Sequence, residues 1–312
     1  PGSYPLIISS TSARTCIYRH KKPEFQYGSA DLGQGVLYPK WVPLVDSCGS
    51  LRAEGGNVCS DTPWMLHPAI WIKAEYTEVY AMKKLGLVGG MGPESTVPYY
   101  RGIVYGVRER MGENVLPFLS LESVNVFDIQ RFCNEGRYEE LTAYLLAAVR
   151  NLAAAGAEVG ALSANTPHIV FDQLKKQTPI PLVSIIEAAC GEANRRGLTR
   201  LGLMGTIFTM KGSFFQRPFE ESGIQVISPR EDEMEYINEK IYTELEFADV
   251  REETQEGLVR IIRRMVEEDG IQAVILGCTE LPLALNDRIS PVPCLDTMKI
   301  HVRALVEEII SG

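Results

Sequence analysis

Cys278 is the residue of this chain best suited, by type and surroundings, to move a proton. It lies in the run Gly277-Cys278-Thr279-Glu280, directly after the apolar stretch Ala273–Leu276. A thiol has an ordinary pKa of about 8.5 and becomes a usable base at neutral pH when nearby donors or a helix N-terminus lower that pKa. We therefore expect acid/base chemistry at Cys278; burial as a structural thiol is the alternative.

The segment around Cys278 repeats an earlier segment of the chain. Three pairs of segments match in the same order: residues 156–166 with 270–280, residues 84–91 with 200–207, and residues 180–184 with 292–296. In this comparison Ala164 stands where the later copy has Cys278. Matched segments that keep their order predict two halves of about the same fold.

The pattern of apolar residues predicts the elements that position Cys278. Predicted strands lie at residues 85–88, 116–121, 159–162, 181–185, 200–204, 224–227, 273–276 and 294–295; predicted helices lie at 95–110, 138–155, 168–177, 187–196, 211–221, 231–247, 252–268 and 297–310. Strands that alternate with helices predict an α/β fold with parallel sheets covered on both faces.

Ligands of such sheets gather beyond the carboxyl ends of the strands. Four predicted loops lie there: residues 89–95, 163–168, 205–211 and 277–280. We expect the two halves to bring these loops face to face, with the active site between them. Met91, Thr206 and Thr209 are candidate substrate-binding residues within the loops.

Composition excludes several classes of partner. The chain has 312 residues, 45% of them apolar, and no run of about 18 apolar residues that would predict a membrane span. A formal charge of −9 argues against nucleic acid, since phosphate binding needs clustered Lys and Arg. The seven cysteines show no zinc-ligand spacing and no disulfide framework, so a reducing, cytoplasmic setting and a metal-free site are expected.

Residues 1–81 differ in character from the rest of the chain. They hold all three tryptophans, and no periodicity persists there for more than a few residues. Met82, followed by two lysines and an apolar strand, is typical of a protein start. We therefore predict an extension of unknown role at residues 1–81, a first domain at 82–196 and a second at 197–312, whose end can return to pack on the first.

Three segments of the chain resemble the signatures of the aspartate/glutamate/hydantoin racemase superfamily, and the aspartate racemase branch in particular. They are residues 87–96 (Leu-Val-Gly-Gly-Met-Gly-Pro-Glu-Ser-Thr), residues 164–168 (Ala-Asn-Thr-Pro-His) and residues 277–280 (Gly-Cys-Thr-Glu). The resemblance covers residues 82–312. It implies a four-stranded parallel sheet with flanking helices in each half, a substrate cleft between the halves, a homodimer, and no pyridoxal phosphate or metal.

The resemblance also implies chemistry at an amino-acid α-carbon. Inversion there takes a proton from one face and returns one to the other, so two acid/base groups must flank the substrate. Two-thiol members of the family have cysteine immediately before the Asn-Thr pair, whereas this chain has Ala164, whose methyl group exchanges no proton. Thr166, Ser163 and His168 are the candidates for the second group; we place Thr166 beside Cys278 as the catalytic pair.

Aspartate racemases bind the side-chain carboxylate of the substrate through basic groups. Carry-over of the resemblance places Gln130 and Glu246 at those positions, with Arg131 and Lys211 as basic neighbours that compensate. An acidic amino acid, aspartate or glutamate, is the expected substrate. The resemblance further implies that Gln130, Asn165, Thr166, Thr279 and Glu280 bind it, although Asn165 and Thr166 can instead cap the following helix.

Three functions remain open at this point. The first is a cofactor-independent amino-acid racemase, of reduced activity because of Ala164. The second is a one-thiol lyase of the decarboxylase type, in which Cys278 protonates a planar intermediate from one face. The third is a catalytically silent relative that binds a dicarboxylate in the same cleft.

Overall fold

The computed structural model describes residues 82–311, which belong to one compact unit. The extension predicted for residues 1–81 lies outside the described residues. The described strands are β1 (Leu85–Gly89), β2 (Leu119–Ser123), β3 (Val159–Leu162), β4 (Leu182–Val183), β5 (Arg200–Met204), β6 (Gln225–Ile227), β7 (Ala273–Leu276) and β8 (Cys294–Asp296).

The helices of the first half are α1 (Pro93–Met111), α2 (Val126–Asn134), α3 (Tyr138–Ala154), α4 (Phe171–Lys175) and α5 (Ile185–Arg195). Those of the second half are α6 (Ile207–Lys211), α7 (Ser213–Glu221), α8 (Glu231–Thr243), α9 (Glu252–Asp269), α10 (Leu281–Ala284) and α11 (Thr297–Ile310). Two 3₁₀ turns, Thr166–Val170 and Leu245–Phe247, complete the described elements.

The strands form two four-stranded parallel sheets of identical topology. The strand orders are β2-β1-β3-β4 and β6-β5-β7-β8. The register is repeated as well, because Gly160 pairs with Leu182 in the first sheet and Val274 pairs with Cys294 in the second. The predicted fold class, two equivalent α/β halves with four parallel strands each, is confirmed.

Burial explains why the central strands read as continuous apolar runs. All five residues of β1 and all four of β3 and of β7 are buried. A strand with helices on both faces has no solvated side, so alternation of polar and apolar residues is lost. β2 lies at a sheet edge and keeps partly exposed positions.

The last helix of each half packs against the other half. Ile185, Ile186 and Ala189 of α5 belong to the core cluster built on β5 and β7. Leu305 and Ile309 of α11 belong to the cluster built on β1 and β3. The last helix of each half therefore packs in the core of the other half. The domain boundary near residue 196 stays a proposal.

The structure differs from the predicted elements mainly in the loops. Helix α2 was not predicted from the sequence; its N-terminus is capped by Asn125, whose side chain accepts a hydrogen bond from the backbone N–H of Phe127. The helix predicted at 211–221 is divided by Gly212, which is extended (φ −81°, ψ 125°) and separates α6 from α7. The helix predicted at 168–177 begins instead as the 3₁₀ turn Thr166–Val170.

The described part of the chain, residues 82–311, contains no helix that is both long enough and apolar enough to span a membrane. Within the same residues, no three or more His, Cys, Asp or Glu side chains are grouped so that they could hold a metal ion.

Candidate active site

The loops after β1, β3, β5 and β7 meet around a small cavity between the two sheets. Its volume is about 50 Å³, and its walls include Met91, Ala164, Thr206 and Cys278, one residue from each loop. Pockets for drug-sized ligands measure roughly 300–1,000 Å³. The cavity therefore suits only a small molecule, such as an amino acid, and admits it with some opening of the walls.

Cys278 lies on the second-half wall of this cavity and is hydrogen-bonded to Glu280. Its Sγ donates to Glu280 Oε2 at 2.9 Å, and Thr279 Oγ1 donates to the same oxygen at 2.9 Å. Both Cys278 and Glu280 are buried, with 9% and 5% of their surface exposed. The carboxyl is therefore aimed at the thiol and is withdrawn from water.

The electrostatics of Cys278 differ from the prediction. Burial, and then the Glu280 carboxylate, raise the pKa of the Cys278 thiol well above its ordinary value. The expected lowering by a helix N-terminus was wrong, because α10 has only four residues and an acidic group stands at its start. The sulfur therefore carries its proton at neutral pH, and Glu280 accepts the hydrogen bond.

The glycine loop that follows β1 approaches the Glu280 carboxyl closely. Gly92 has φ +116°, and a Cβ built on it would stand 3.2 Å from Glu280 Oε1. A residue with a side chain would be strained at this φ and would also press on the carboxyl. Glycine at position 92 of the first half therefore leaves room for an acidic group of the second half.

The first-half wall presents Ala164 and Thr166 to the cavity. Thr166 Oγ1 lies 3.0 Å from Thr206 Oγ1, a hydrogen bond that joins the two halves. Asn165 donates from Nδ2 to Thr297 Oγ1 at 3.1 Å, while its Oδ1 is buried without a partner among the described residues. Asn165 makes no capping hydrogen bond to the 3₁₀ turn, so the capping alternative was wrong for its side chain.

Most of the predicted site residues line this one cavity. They are Met91, Gln130, Asn165, Thr166, Thr206, Cys278, Thr279 and Glu280. Thr209 is the exception: its hydroxyl lies 3.2 Å from that of Thr206, and it is fully buried behind that residue. The structure does not bring Thr209 to the cavity, because α6 directs it into the core.

The two basic residues expected to hold an acidic substrate do not reach the cavity. Arg131 pairs with Asp128 at 2.8 Å, and its side chain is half exposed. Lys211 is paired with Glu231 and is similarly exposed. The proposed compensation by Arg131 and Lys211 was therefore wrong, since both charges are directed to solvent on the outer surface.

The profile of the Asp/Glu/hydantoin racemase family matches residues 88–305, which span both sheets and every loop of the cavity. This chain belongs to the Asp/Glu/hydantoin racemase family. The match places Cys278 and Ala164 within the family's own fold and not in an added segment.

Two solved structures support this assignment and the aspartate racemase branch. An aspartate racemase homologue from Pyrococcus horikoshii OT3 is 38% identical, with a TM-score of 0.65; the match covers 74% of this chain and 100% of the other. A protein from Yersinia pestis, provisionally described as an Asp/Glu racemase, is 36% identical with a TM-score of 0.68; it covers 72% of this chain and 98% of its own.

A curated relative extends the range of substrates named among family members. The broad specificity amino-acid racemase RacX of Bacillus subtilis (strain 168) is 20% identical over 231 residues, which are 73% of this chain and 98% of that protein. That name refers to no single amino acid, whereas the two solved structures are named for aspartate or for aspartate and glutamate.

The cavity also contains two polar residues, Cys133 and Tyr242, that were not proposed as site residues from the sequence; they line it from α2 and α8. Glu246, which the resemblance placed where a basic residue was expected, enters the cavity from the 3₁₀ turn Leu245–Phe247. Burial raises the pKa of the Cys133 thiol to about 11, so this second thiol is also protonated at neutral pH. No local motif marks Cys133 or Tyr242; both reach the cavity only through the packing of helices.

Three larger surface grooves lie away from Cys278. The first, of about 980 Å³, runs along α5 and α7; the second, of about 840 Å³, runs beside α1 and α11; the third, of about 530 Å³, lies between α8 and α9. We assign the chemistry to the smaller cavity, because it contains the thiol, its carboxyl partner and the buried, unpartnered oxygen of Asn165.

His168, a candidate for the second acid/base group, lies outside the cavity as a neutral structural residue. Its Nδ1 donates to the Ala164 carbonyl at 3.0 Å, and its Nε2 accepts from the Ile185 N–H at 3.4 Å. If Nε2 were also protonated, its proton would point at the Ile185 N–H, so the neutral ring is favoured. Burial, and then His301, lower the pKa of His168 to about 3.

We predict that His168 makes the racemase sensitive to acid. Its pKa is lower in the folded chain than the ordinary 6.5, so its contribution to stability is complete above pH 6.5 and is lost as the pH falls towards 3. At pH 5 the loss is about 2 kcal/mol, from 1.4 kcal/mol per pH unit. Urea unfolding at pH 7, 6 and 5 measures it, with His168→Gln as the variant that removes the titration.

The control for this prediction is the comparison of wild type with His168→Gln in how steeply the free energy of unfolding changes with pH. The carboxylates titrate alike in both proteins, so only the wild type should lose the additional 2 kcal/mol of stability. This loss corresponds to about one additional proton bound by the unfolded state. An NMR titration of the His168 ring is a second measurement. A midpoint near 6.5 in the folded protein would contradict the assignment.

Proposed function

We propose that this chain is a cofactor-independent amino-acid racemase that uses the single thiol of Cys278 at one face of the substrate, with Ala164 in place of a second thiol. The observation that carries the proposal is the Cys278 sulfur on the cavity wall, 2.9 Å from the buried Glu280 carboxyl. Family membership supports chemistry at the α-carbon of an amino acid.

The hydrogen bond suggests how the thiol becomes a base. The Cys278 proton passes along the existing contact to Glu280 Oε2, and the thiolate then takes the proton from Cα. The electron pair left on Cα delocalises into the substrate carboxylate. Burial raises the pKa of the Glu280 carboxyl, which suits a group that must accept and return one proton.

At the opposite face, Thr166 is the residue proposed to return the proton. Its hydroxyl lines the cavity and is linked to Thr206 at 3.0 Å, which allows Thr206 to replace the proton that Thr166 gives to Cα. When the product leaves, the threonine pair recovers a proton from water and Glu280 loses its additional proton to water. A hydroxyl is a much weaker acid than a thiol, so inversion is expected to be slower than proton exchange at the Cys278 face.

The one-thiol lyase remains a second candidate, supported by the raised pKa of the Cys278 thiol. A thiol that holds its proton is suited to donate it to a planar intermediate. Because the methyl group of Ala164 on the other face donates no proton, Cys278 would be the thiol donor to that intermediate. Release of carbon dioxide from a malonate-type acid would distinguish this reaction from proton exchange.

Three further expectations accompany the racemase proposal. We expect a homodimer, measurable by light scattering, and full activity in EDTA without pyridoxal phosphate. Cys133, Cys190, Cys278 and Cys294 are free thiols, which is consistent with the proposed cytoplasmic location. The aspartate or glutamate substrate predicted from the resemblance remains to be decided by a panel of amino acids.

The test of the proposed function is hydrogen exchange at Cα. The full chain is incubated in D₂O with a panel of L- and D-amino acids, including aspartate and glutamate, and loss of the Cα–H signal is followed by NMR with parallel chiral analysis. We expect exchange with at least one amino acid, faster than its inversion. Binding without exchange for the whole panel would instead favour the catalytically silent relative.

A further inference from the structure

The charges inside the candidate active site are all acidic. Glu246 and Glu280 are the two ordinarily charged side chains among the described residues that line the cavity, and no Lys, Arg or His lines it there. An amino acid brings its own ammonium and carboxylate, and a second carboxylate on the side chain would meet two acidic groups without a cation to balance it.

Basic residues on three elements around the cavity are already paired elsewhere. Arg131 is bound to Asp128 at 2.8 Å, Lys211 to Glu231, and Lys240 to the buried Glu244 at 2.8 Å. Rotating one of them into the cavity would break an ion pair and, for Lys240, remove the shorter of the two cationic contacts of a buried carboxylate. The acidic character of the cavity is therefore a property of the fold and not of one side-chain rotamer.

Glu246 is the carboxyl left for the substrate side chain. Glu280 accepts hydrogen bonds from Cys278 and Thr279, whereas Glu246 receives one long contact, from Gln130 Nε2 at 3.5 Å. Within residues 82–311 Glu246 has no Lys or Arg partner, although its half-buried position makes an unbalanced negative charge costly.

The remaining walls near Glu246 are compatible with a cation. Tyr242 and Phe208 line the same cavity, and aromatic rings attract ammonium and guanidinium groups but not carboxylates. A cation that enters this enclosed site would pair with Glu246 at a lower effective dielectric than at the surface, where such pairs contribute little.

We propose that the substrate is an amino acid whose side chain ends in a cationic nitrogen, and that this nitrogen pairs with Glu246 while Cys278 acts at Cα. The proposal rests on the racemase function above and replaces the acidic substrate expected from the resemblance. Gln130 supports the pair by donating its amide hydrogen to Glu246 and keeping the carboxylate aimed into the cavity.

The experiment compares Cα exchange of ornithine, lysine and arginine with that of aspartate, glutamate and glutamine. For the wild type we expect kcat/KM at least about tenfold higher with the best cationic substrate than with either acidic one. Glu246→Gln should remove most of this preference by lowering exchange of the cationic substrates, and Glu246→Lys should reverse it. Glu267→Gln and Glu267→Lys, at an exposed position of α9, are the matched controls for the same change of charge.

Equal or faster exchange of aspartate, glutamate or glutamine by the wild type would overturn the proposal. Failure of the racemase function is distinguishable from failure of the charge preference, because binding is measured without turnover. If no amino acid exchanges its Cα hydrogen, the rise in melting temperature on adding ornithine or aspartate still measures the charge preference of the cavity. A larger shift with ornithine that Glu246→Gln removes supports the proposal, and a shift no larger than that with aspartate contradicts it.

Discussion

Replacing Cys278 by alanine is expected to lower Cα exchange by about 10³-fold, within the usual contribution of a general acid or base. Its Sγ lies on the cavity wall and donates to Glu280, so the variant removes the group that receives the Cα proton. Cys278→Ser keeps the shape but replaces a thiol by a much weaker acid, and a loss of similar size is expected. NMR exchange in D₂O with the best substrate of the panel measures both.

The matched control is Cys294→Ser, because that buried thiol belongs to β8 and does not line the cavity. It should leave exchange within about twofold of the wild type. Cys133→Ser is a more searching variant, since Cys133 does line the cavity. If Cys278→Ala keeps the wild-type rate and Cys133→Ser loses it, the assignment of the base to Cys278 is wrong.

Placing a thiol at the opposite wall is expected to produce the largest gain. Ala164→Cys should raise inversion of the preferred substrate by about 10²-fold, because a thiol then stands at each face and proton return no longer depends on a hydroxyl. Ala164 lies two residues beyond β3, as Cys278 lies two residues beyond β7. Chiral chromatography of the products, beside exchange in D₂O, measures the change.

Two variants make the result specific. Ala154→Cys, at the exposed end of α3, adds a thiol outside the cavity and should change nothing. The double change Ala164→Cys with Cys278→Ala should lose the gain in inversion, because one face is again without a thiol. The single variant Ala164→Cys could instead fold and bind the substrate but invert it no faster than the wild type. That result would argue against the lack of a second thiol as the limit on inversion.

The two repeated halves could be predicted because three pairs of short, similar segments occur in the same order in both halves of the sequence. The strands at 159–162, 200–204 and 273–276 have the predicted bounds, since a buried parallel strand is an apolar run between polar loops. Helix α2 was missed because its nine residues begin within a segment without clear periodicity, and a cap at Asn125 fixes its start.

The site was only partly predictable for a different reason. Cys278, Asn165 and Thr166 follow strand ends, where the sequence itself indicates a ligand loop. Cys133 and Tyr242 reach the cavity from helices whose packing depends on residues far away in the chain. The raised pKa of the Cys278 thiol was unpredictable for the same reason, since burial depends on the closed arrangement of both halves.

The exchange of terminal helices between the halves has a consequence for their independence. Ile185 and Ala189 of α5 complete the second core, and Leu305 and Ile309 of α11 complete the first. A fragment that contained one repeat alone would leave a sheet face bare and an apolar helix without a surface to cover. The two repeats are therefore expected to melt in a single cooperative step.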